Sequence, residues 1–303
     1  MQNRSHLSVL IQEQAKKYGD KAAMMYQDFG GTKWKTVSWN TFAGKVRQAS
    51  NALLNLGLKP QEKIAVFSQN CVEYLYTDFG AYGIRVVSIP FYATSSEQQI
   101  QYMINDGGVR VVFVGEQEQY DKAHRIFAVC PTLERIVVFD HGVRISTHDP
   151  NSLYFDDFMK LGEGLPRQDE VERLYSQAND VDICNILYTS GTTGSSKGVV
   201  LTYGQYAAAF KANDACVPVG EDDRVIDFLP FTHIFERGWA YLALTEGAML
   251  IVNTNPHNIQ QAMRETHPTS MSSVPRFWEK VYQAVKAKID RSSAVQQKMF
   301  YEA

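Results

Sequence analysis

Short segments that are apolar at every position alternate with amphipathic stretches along the first half of the chain. Residues 64–67 read I-A-V-F and residues 111–114 read V-V-F-V. A strand with one face in water alternates polar and apolar side chains, so strands that are apolar throughout are typical of a parallel sheet covered by helices on both faces. The intervening residues 71–82 and 96–106 have the length and apolar spacing of helices. The sequence therefore predicts an α/β fold built from repeated strand–helix–strand units.

A polar stretch between residues 141 and 179 interrupts this alternation. It contains many polar and charged side chains together with several glycines and prolines, a combination typical of loops and linkers. We therefore predict an N-terminal α/β subdomain over residues 1–178 and a second α/β subdomain over residues 179–303. Residues 286–303 have helical character up to the last residue, without a glycine stop or a polar tail. From this we expect the second subdomain to be incomplete at its C-terminus.

The composition of the 303 residues excludes several classes of protein. With 45% apolar and 21% charged residues the chain can bury a large core, and its net charge of -3 argues against a general nucleic-acid-binding surface. No apolar run approaches the ~20 residues that a membrane span needs, and the N-terminus lacks the apolar core of a secretory signal. We therefore expect a cytoplasmic protein. The cysteines are far apart in sequence, which favours buried, reduced thiols at Cys71, Cys130, Cys184 and Cys216.

The most informative segment is residues 188–198, which read Y-T-S-G-T-T-G-S-S-K-G. Its glycines allow the backbone to approach a ligand closely, its hydroxyl groups can donate hydrogen bonds to phosphate oxygens, and Lys197 adds a compact positive charge. The segment is not a Walker P-loop, because Lys197 lies between Ser196 and Gly198, and it contains no G-x-G-x-x-G. These residues indicate a polyphosphate-binding loop. By composition alone, a surface hairpin rich in turn-forming residues is the alternative.

A second segment, residues 229–237, reads L-P-F-T-H-I-F-E-R and lies between a predicted strand and a predicted helix. At such a junction His233 can lie against an acyl carboxylate and a nucleotide. A histidine that only begins the helix is the simpler alternative. Glu236 and Arg237 could equally form a local ion pair of little energetic weight. The segment therefore gains a functional meaning only in combination with the loop.

Together the two segments resemble the signatures of the adenylate-forming (AMP-binding) enzymes, which include acyl-CoA synthetases, firefly luciferase and the adenylation domains of peptide synthetases. The loop pattern of that family is Y-T-S-G-T-T-G-x-P-K-G-V. Residues 188–199 agree with it except at Ser196, where the family usually has proline. The family carries P-x-x-H at the second segment, and the extension F-E-R at residues 235–237 is similar to long-chain fatty acyl-CoA synthetases. Weaker similarities extend over residues 7–290.

The resemblance implies a layered αβαβα N-terminal domain, with mostly parallel sheets covered by helices, that is truncated here. It also implies ATP, Mg²⁺ and CoA, and the activation of a long-chain fatty acid to acyl-adenylate and then to acyl-CoA. Lys197 and His233 would be catalytic, and the Thr192 hydroxyl would ligate Mg²⁺. His233, Phe235 and Glu236 would contact the acid. The nucleotide would be bound by the loop residues Thr189, Ser190, Gly191, Thr192, Thr193, Gly194 and Lys197.

The same resemblance leaves several properties open. In the family, a carboxylate for the metal comes from a later Tyr-Gly-x-Thr-Glu motif, and a small C-terminal domain supplies a catalytic lysine; the 303 residues contain neither. We therefore expect little activity from this chain alone. An adenylating ligase for another carboxylic acid and a non-catalytic nucleotide-binding relative are the alternatives. The expected partners are small molecules and not nucleic acid, a weak contact with the inner face of a membrane stays open because fatty acids partition into bilayers, and the oligomeric state is not predicted.

Overall fold

The structure is a computed structural model that describes residues 6–189, 196–214 and 216–302. The chain divides into two compact units, Met1–Ser270 and Met271–Ala303. The first unit continues across residues 178 and 179, and the predicted subdomain boundary between them stays a prediction. No helix in the part of the chain described has both the length and the apolar composition needed to cross a bilayer.

The elements of the first unit follow one another in a mixed α/β order. Its strands are β1 Ala22–Tyr26, β2 Lys35–Ser38, β3 Lys63–Phe67, β4 Val87–Phe91, β5 Val109–Val114, β6 Arg135–Val138, β7 Ser152–Tyr154, β8 Ile183–Thr189, β9 Lys197–Thr202, β10 Arg224–Asp227 and β11 Met249–Val252. Its helices are α1 Leu10–Tyr18, α2 Trp39–Asn55, α3 Val72–Gly83, α4 Glu97–Gly107, α5 Gln117–Ile126, α6 Phe155–Lys160, α7 Gln168–Ser176, α8 Tyr203–Asp214, α9 Ile234–Thr245 and α10 Ile259–Thr266. A two-residue strand, β12 Ser270–Met271, spans the junction of the units.

The larger sheet has seven strands in the order β7-β6-β5-β3-β4-β8-β9, and its neighbours are parallel except for the antiparallel pair β8 and β9. Alternate side chains of one strand enter different cores: Ile64 and Val66 pack in one buried cluster, and Ala65 and Phe67 in the other. Both faces of β3 are therefore covered. This arrangement confirms the predicted α/β fold and explains why the strand is apolar at every position.

The second sheet brings together strands from distant parts of the sequence, in the order β10-β11-β1-β2 within the first unit. Strands β1 and β2 form an antiparallel hairpin, whereas β1 runs parallel to β11, with Met24 opposite Leu250. Ser38 begins α2 by accepting a hydrogen bond from the Thr41 amide, which satisfies one exposed donor of the first turn.

The structure differs from the sequence-based expectation in the segments that carry few apolar residues. The polar stretch at residues 141–179 contains β7, α6 and α7, and α5 occupies a segment for which the sequence predicts no element. Helix α7 buries only Val171 and Leu174, and most of its other residues are polar or charged, so the segment has the composition of a linker. The expectation of four buried cysteines is wrong for Cys216, which is exposed just after α8, whereas the other three are buried.

The second unit consists of the two helices α11 Pro275–Asp290 and α12 Ala294–Glu302, together with the residues that precede them. The sequence predicts continuous helix over residues 286–303, but the helix is interrupted between Arg291 and Ser293. The Ser293 hydroxyl accepts a hydrogen bond from the Gln296 amide and so begins α12. Neither helix contains a buried residue.

Candidate active site

The predicted phosphate loop connects β8 to β9, and its two stems are paired. Thr189, the last residue of β8, lies opposite Lys197, the first residue of β9. Both side chains are exposed at the surface. The predicted ligands Ser190, Gly191, Thr192, Thr193 and Gly194 lie outside the described residues. Strand pairing therefore places the hydroxyl and the ammonium group at the two ends of the predicted phosphate loop.

The last glycine of the loop motif has a packing role in the hairpin. Gly198 lies opposite Tyr188, and a Cβ at residue 198 would come within 2.8 Å of the Ile186 Cγ2 atom. That distance is too short for a carbon–carbon contact, so a larger residue would require the Ile186 side chain or the β9 backbone to shift. A glycine at this position thus allows the close approach of β9 to the side chains of β8.

A cleft of about 680 Å³ brings the two predicted segments together. Thr189 lines the cleft from the loop and His233 lines it from the start of α9, whereas Lys197 is not among its lining residues. The lining side chains and backbone belong to Tyr92, Ser95, Gln99, Met103, Leu187, Tyr188, Thr189, Ser196, Val199, Leu201, Thr232, His233 and Ile234. Thr189, at one end of the predicted phosphate loop, and His233 therefore border one space, although they are separated by more than thirty residues in sequence.

His233 begins α9 and faces the cleft at the same time. Its Nδ1 atom accepts a hydrogen bond from the Phe235 amide at 3.2 Å, and its side chain is exposed. Because Nδ1 is an acceptor, the neutral imidazole carries its proton on Nε2. His233 therefore does cap the helix, as the simpler alternative holds, and this role leaves an N–H donor on the other ring nitrogen.

The turn that precedes His233 is held by the side chain of Asn70, which follows β3. The Asn70 amide nitrogen donates to the Leu229 carbonyl at 2.8 Å, and its amide oxygen accepts from the Phe231 amide at 2.9 Å. Both bonds bridge from the larger sheet to the turn between β10 and α9. Since the same side chain satisfies a donor and an acceptor of the turn, it fixes the backbone from which His233 projects.

Glu236 and Arg237 lie beneath this turn and not in the cleft. Both side chains are fully buried. The Glu236 carboxylate accepts from the Phe228 amide at 3.0 Å, and the Arg237 Nε atom donates to the Phe231 carbonyl at 2.8 Å. These contacts support a positioning role for both residues, and contact between Glu236 and a substrate stays a prediction.

Arg237 pairs with a carboxylate on another helix, at the centre of a buried polar cluster. Its NH1 atom lies 2.6 Å from the Asp78 Oδ2 atom in α3, and both side chains are almost completely buried. The Tyr241 and Ser88 hydroxyls donate to Asp78 at 2.7 Å and 2.5 Å, and the Tyr74 hydroxyl accepts from Arg237 at 2.9 Å. Hydrogen bonds to both ions offset the cost of removing them from water, so the cluster joins α3 firmly to α9.

Asp227, at the end of β10, is a second buried carboxyl group near the turn. Burial, followed by the charge of the neighbouring Glu236, raises the pKa of Asp227 well above its usual range. The folded protein therefore holds a proton that the unfolded chain releases near pH 4. The unfolding free energy should consequently fall as the pH rises above this value, by up to about 1.4 kcal/mol per pH unit.

We expect Asp227→Asn to remove this pH dependence, because an uncharged amide replaces the protonated carboxyl group. Urea unfolding of the wild-type chain and the variant at pH 5, 6, 7 and 8 would check it, and the stability difference should increasingly favour the variant as the pH rises. Asp222→Asn is the control, because the Asp222 side chain is fully exposed. If the unfolding free energies of the wild type and Asp227→Asn changed equally with pH, the prediction would be contradicted.

A smaller, mainly apolar cavity of about 310 Å³ lies beside the cleft, between α8 and α9. It is lined by Leu201, Gln205, Tyr206, Ala209, Phe210, Asn213, Ile234, Phe235, Gly238, Trp239 and Leu242. Leu201 and Ile234 line both cavities. The structure thus places the predicted substrate residue Phe235 at an apolar cavity adjoining the cleft that contains His233.

The described residues do not by themselves form a metal site. Within the ranges that the structure covers, no group of three or more His, Cys, Asp or Glu side chains is placed to hold a metal ion. Thr192, the predicted Mg²⁺ ligand, lies outside those ranges. Magnesium binds to proteins mainly through one or two carboxylates and the phosphates of a substrate. Binding of Mg²⁺ through Thr192 therefore stays a prediction that depends on bound ATP.

Sequence reasoning assigns no role to two residues that hold the site, Asn70 and Asp78. Asn70 follows an apolar strand, a position where a polar side chain is ordinary. Asp78 could have been recognised from the sequence, because it is an acidic residue inside the otherwise largely apolar second half of α3. A carboxylate on such a buried helix requires a cation or donors nearby. The sequence could not identify Arg237 as that cation.

Comparison with protein families and curated proteins points to one group of enzymes. The model of the family described as "AMP-binding enzyme" matches residues 11–302. The long-chain-fatty-acid–CoA ligase ACSBG2 of Rattus norvegicus is 28% identical over 301 residues, which cover 96% of this chain and 44% of that protein. For ACSBG1 of Homo sapiens the identity is 26% over 309 residues, covering 96% and 40%. The chain thus spans less than half the length of these relatives.

Solved structures share the fold at low sequence identity. A putative long-chain-fatty-acid CoA ligase from Rhodopseudomonas palustris superimposes with a TM-score of 0.76 at 16% identity, over 98% of this chain and 68% of that one. The anthranilate CoA ligase AuaEII, solved in complex with anthranoyl-AMP, superimposes with a TM-score of 0.72 at 18% identity, over 89% and 50%. At these identities the comparison bears on the fold alone, and it confirms the predicted architecture.

Proposed function

Because this chain belongs to the family of AMP-binding enzymes, we propose that its protein activates a long-chain fatty acid with ATP and transfers the acyl group to CoA. The observation that carries the proposal is the shared cleft, which Thr189 lines from the phosphate loop and His233 from the start of α9. A nucleotide held by the loop and a carboxylate beside the histidine could meet in this space.

The proposed reaction has two group-transfer steps. A carboxylate oxygen of the acid attacks the α-phosphorus of ATP, the bond to the bridging oxygen breaks, and pyrophosphate leaves. The sulfur of CoA then attacks the acyl carbonyl carbon and displaces AMP, with loss of the thiol proton. Since two anions must approach each other in the first step, the protein contributes mainly charge neutralisation and orientation, and not a nucleophile of its own.

The described residues have distinct roles in this scheme. Thr189 and Lys197 hold the phosphates from the two stems of the loop, and Mg²⁺ would neutralise phosphate charge when bound with ATP. The Nε2 proton of His233 donates to the acid carboxylate or to a phosphate oxygen. Asn70, Glu236 and Arg237 fix the turn that carries this histidine, through the contacts with Leu229, Phe228 and Phe231.

The long-chain part of the proposal is supported by the apolar cavity beside the cleft and by the names of the curated relatives. Each methylene that enters such a cavity contributes about 0.8 kcal/mol. An acid whose carboxylate lies near His233 could extend its tail past Ile234, which lines both cavities. A ligase for another carboxylic acid is the alternative within the same chemistry.

Two measurements test the proposal. Isothermal titration of the 303-residue chain with ATP and MgCl₂ should show saturable binding. Pyrophosphate exchange by the full-length protein should depend on a long-chain acid. Octanoate, palmitate and benzoate would be compared as substrates. Exchange with benzoate but not palmitate would favour the alternative substrate class. Absence of both nucleotide binding and exchange would favour a non-catalytic relative.

The cavity makes a specific prediction about chain length through Gly238. This residue lines the cavity, and a Cβ added to it would meet no heavy atom within 4 Å. We expect Gly238→Phe to fill the cavity and to lower palmitate-dependent pyrophosphate exchange by more than about tenfold, because several methylene groups of the palmitate tail can then no longer enter the cavity. Octanoate-dependent exchange should change much less.

Gly238→Ala is the matched control, since it changes the same helix position but adds only one methyl group. The ratio of palmitate to octanoate exchange should stay close to the wild-type ratio in this variant. Equal losses for both acids in Gly238→Phe would indicate a general defect of α9 and would contradict the assignment of the cavity.

A further inference from the structure

Helix α4 contacts both stems of the predicted phosphate loop. The Tyr102 hydroxyl donates to the Ser196 carbonyl at 3.0 Å, directly before β9. The Tyr188 hydroxyl, near the end of β8, donates to the Asp106 Oδ2 atom at 2.6 Å. The two tyrosine rings also contact each other edge to face, with centroids 6.3 Å apart. One helix therefore holds the chain immediately before and immediately after the loop.

Helix α4 is itself held in place by its cap and by core packing, so its contacts with the two stems start from a fixed position. Ser96 and Gln99 form a capping box at its N-terminus. Ile100 and Ile104 are buried in the core on its inner face. At its other end, a Cβ at Gly107 would lie 2.8 Å from the Ile89 Cδ1 atom, so the helix end lies directly on the sheet.

The position of Asp106 is unfavourable for the helix alone. A carboxylate in the last turn of a helix is repelled by the partial negative charge of the helix C-terminus, and this turn contains no basic residue. The Tyr188 hydroxyl compensates by donating to it. Burial, and then the bond to Asp106, raises the pKa of Tyr188, so the hydroxyl remains a donor at neutral pH.

We propose that Tyr102 and Asp106 are positioning residues for the nucleotide: they hold the two stems so that Thr189 and Lys197 face the phosphates at a fixed separation. The proposal rests on the proposed function of the loop. The bond from Tyr102 restrains Ser196, the position where the family pattern has proline. A proline would restrict that backbone through its ring, whereas here a side chain of α4 does so through the carbonyl.

Hydrogen exchange of the 303-residue chain without nucleotide tests the positioning directly. We expect Tyr102→Phe and Asp106→Ala each to raise the exchange rate of the β8 and β9 amides near Thr189 and Lys197 by about fivefold or more, as expected for the loss of one hydrogen bond. Asp106→Asn keeps an acceptor and should stay near wild type. The melting temperature of Asp106→Ala should change little, because removal of the charge at the helix C-terminus offsets the loss of the hydrogen bond from Tyr188.

Tyr154→Phe is the matched control. Its hydroxyl donates to the Val143 carbonyl at 2.7 Å, a bond of the same kind, and it lies in β7 at the opposite edge of the sheet from β9. This variant should leave exchange in β8 and β9 unchanged. If Tyr102→Phe and Asp106→Ala behave like Tyr154→Phe, the positioning role is overturned, whatever the chain binds.

Titration with ATP and MgCl₂ separates this proposal from the function on which it rests. We expect Tyr102→Phe and Asp106→Ala to weaken ATP binding by about five- to tenfold, and Asp106→Asn to restore it. A raised hydrogen-exchange rate with unchanged ATP affinity would overturn the proposed effect of Tyr102 and Asp106 on nucleotide binding. A wild-type chain that binds no ATP would overturn the proposed function and that link together, while the exchange result would still decide whether α4 holds the stems.

Discussion

Arg237→Ala lowers the unfolding free energy by about 3–5 kcal/mol, the largest single effect that we expect on stability. The substitution leaves the Asp78 carboxylate buried without its cation and removes a donor from the Phe231 carbonyl. The loss would be measured by urea unfolding of the 303-residue chain at pH 7. Removing one member of a buried ion pair is costly because the remaining charge has neither water nor a partner.

The double variant Asp78→Leu with Arg237→Met provides the control for this prediction. Because both ions are then replaced by apolar side chains, we expect it to recover part of the stability lost in Arg237→Ala. Arg237→Lys should be intermediate, since an ammonium group cannot reproduce the separate bonds of the guanidinium to Asp78, Tyr74 and Phe231. A loss below about 1 kcal/mol in Arg237→Ala would contradict the assignment, since that is the range of exposed pairs.

Under the proposed function, we expect Lys197→Ala combined with Thr192→Ala to weaken ATP binding by at least about 100-fold. The two changes remove a charged donor and a hydroxyl donor from the proposed phosphate loop, and each hydrogen bond to a charged group contributes about 1.5–3 kcal/mol. Isothermal titration of the chain would measure the affinity. Pyrophosphate exchange in the longest protein that contains it should be lost in parallel, while the melting temperature should change little because Lys197 lies at the surface.

Lys211→Ala is the matched control for charge, because Lys211 is an exposed lysine near the end of α8. It changes the net charge by the same amount as Lys197→Ala without touching the loop. Wild-type affinity in this variant would show that the loss at Lys197 is local. Exchange that survives the double substitution of Lys197 and Thr192 would disprove the assignment of the loop.

The fold was predictable from the sequence where strands are buried on both faces of the sheet. Strands such as residues 64–67 are apolar at every position because alternate side chains enter different cores, and this pattern is visible without any partner. The pairing of β1 with β11 was not predictable, since nothing in Met24 specifies Leu250 as its neighbour. Strand order is decided by packing over the whole chain, which a local pattern does not contain.

The same distinction applies to the site. The loop was predicted from its own residue types, and His233 only in combination with the loop and the family resemblance; the structure brings Thr189 and His233 to one cleft. The residues that hold them, such as Asn70 and Tyr102, are ordinary polar side chains whose partners lie more than ninety residues away. Their importance follows from their contacts with distant segments, which a local sequence pattern does not reveal.

Helix α9 connects three features that have been described separately. Its first turn follows His233, its buried side carries Arg237, and its outer side borders the cavity at Gly238. Because α9 is held firmly by the Arg237–Asp78 pair, His233 and Gly238 keep fixed positions relative to each other. In the proposed reaction, an acid whose tail fits the cavity badly would therefore place its carboxylate wrongly relative to the imidazole. Under the proposed function, we then expect discrimination among acids to affect the rate of the adenylation step more than the strength of binding.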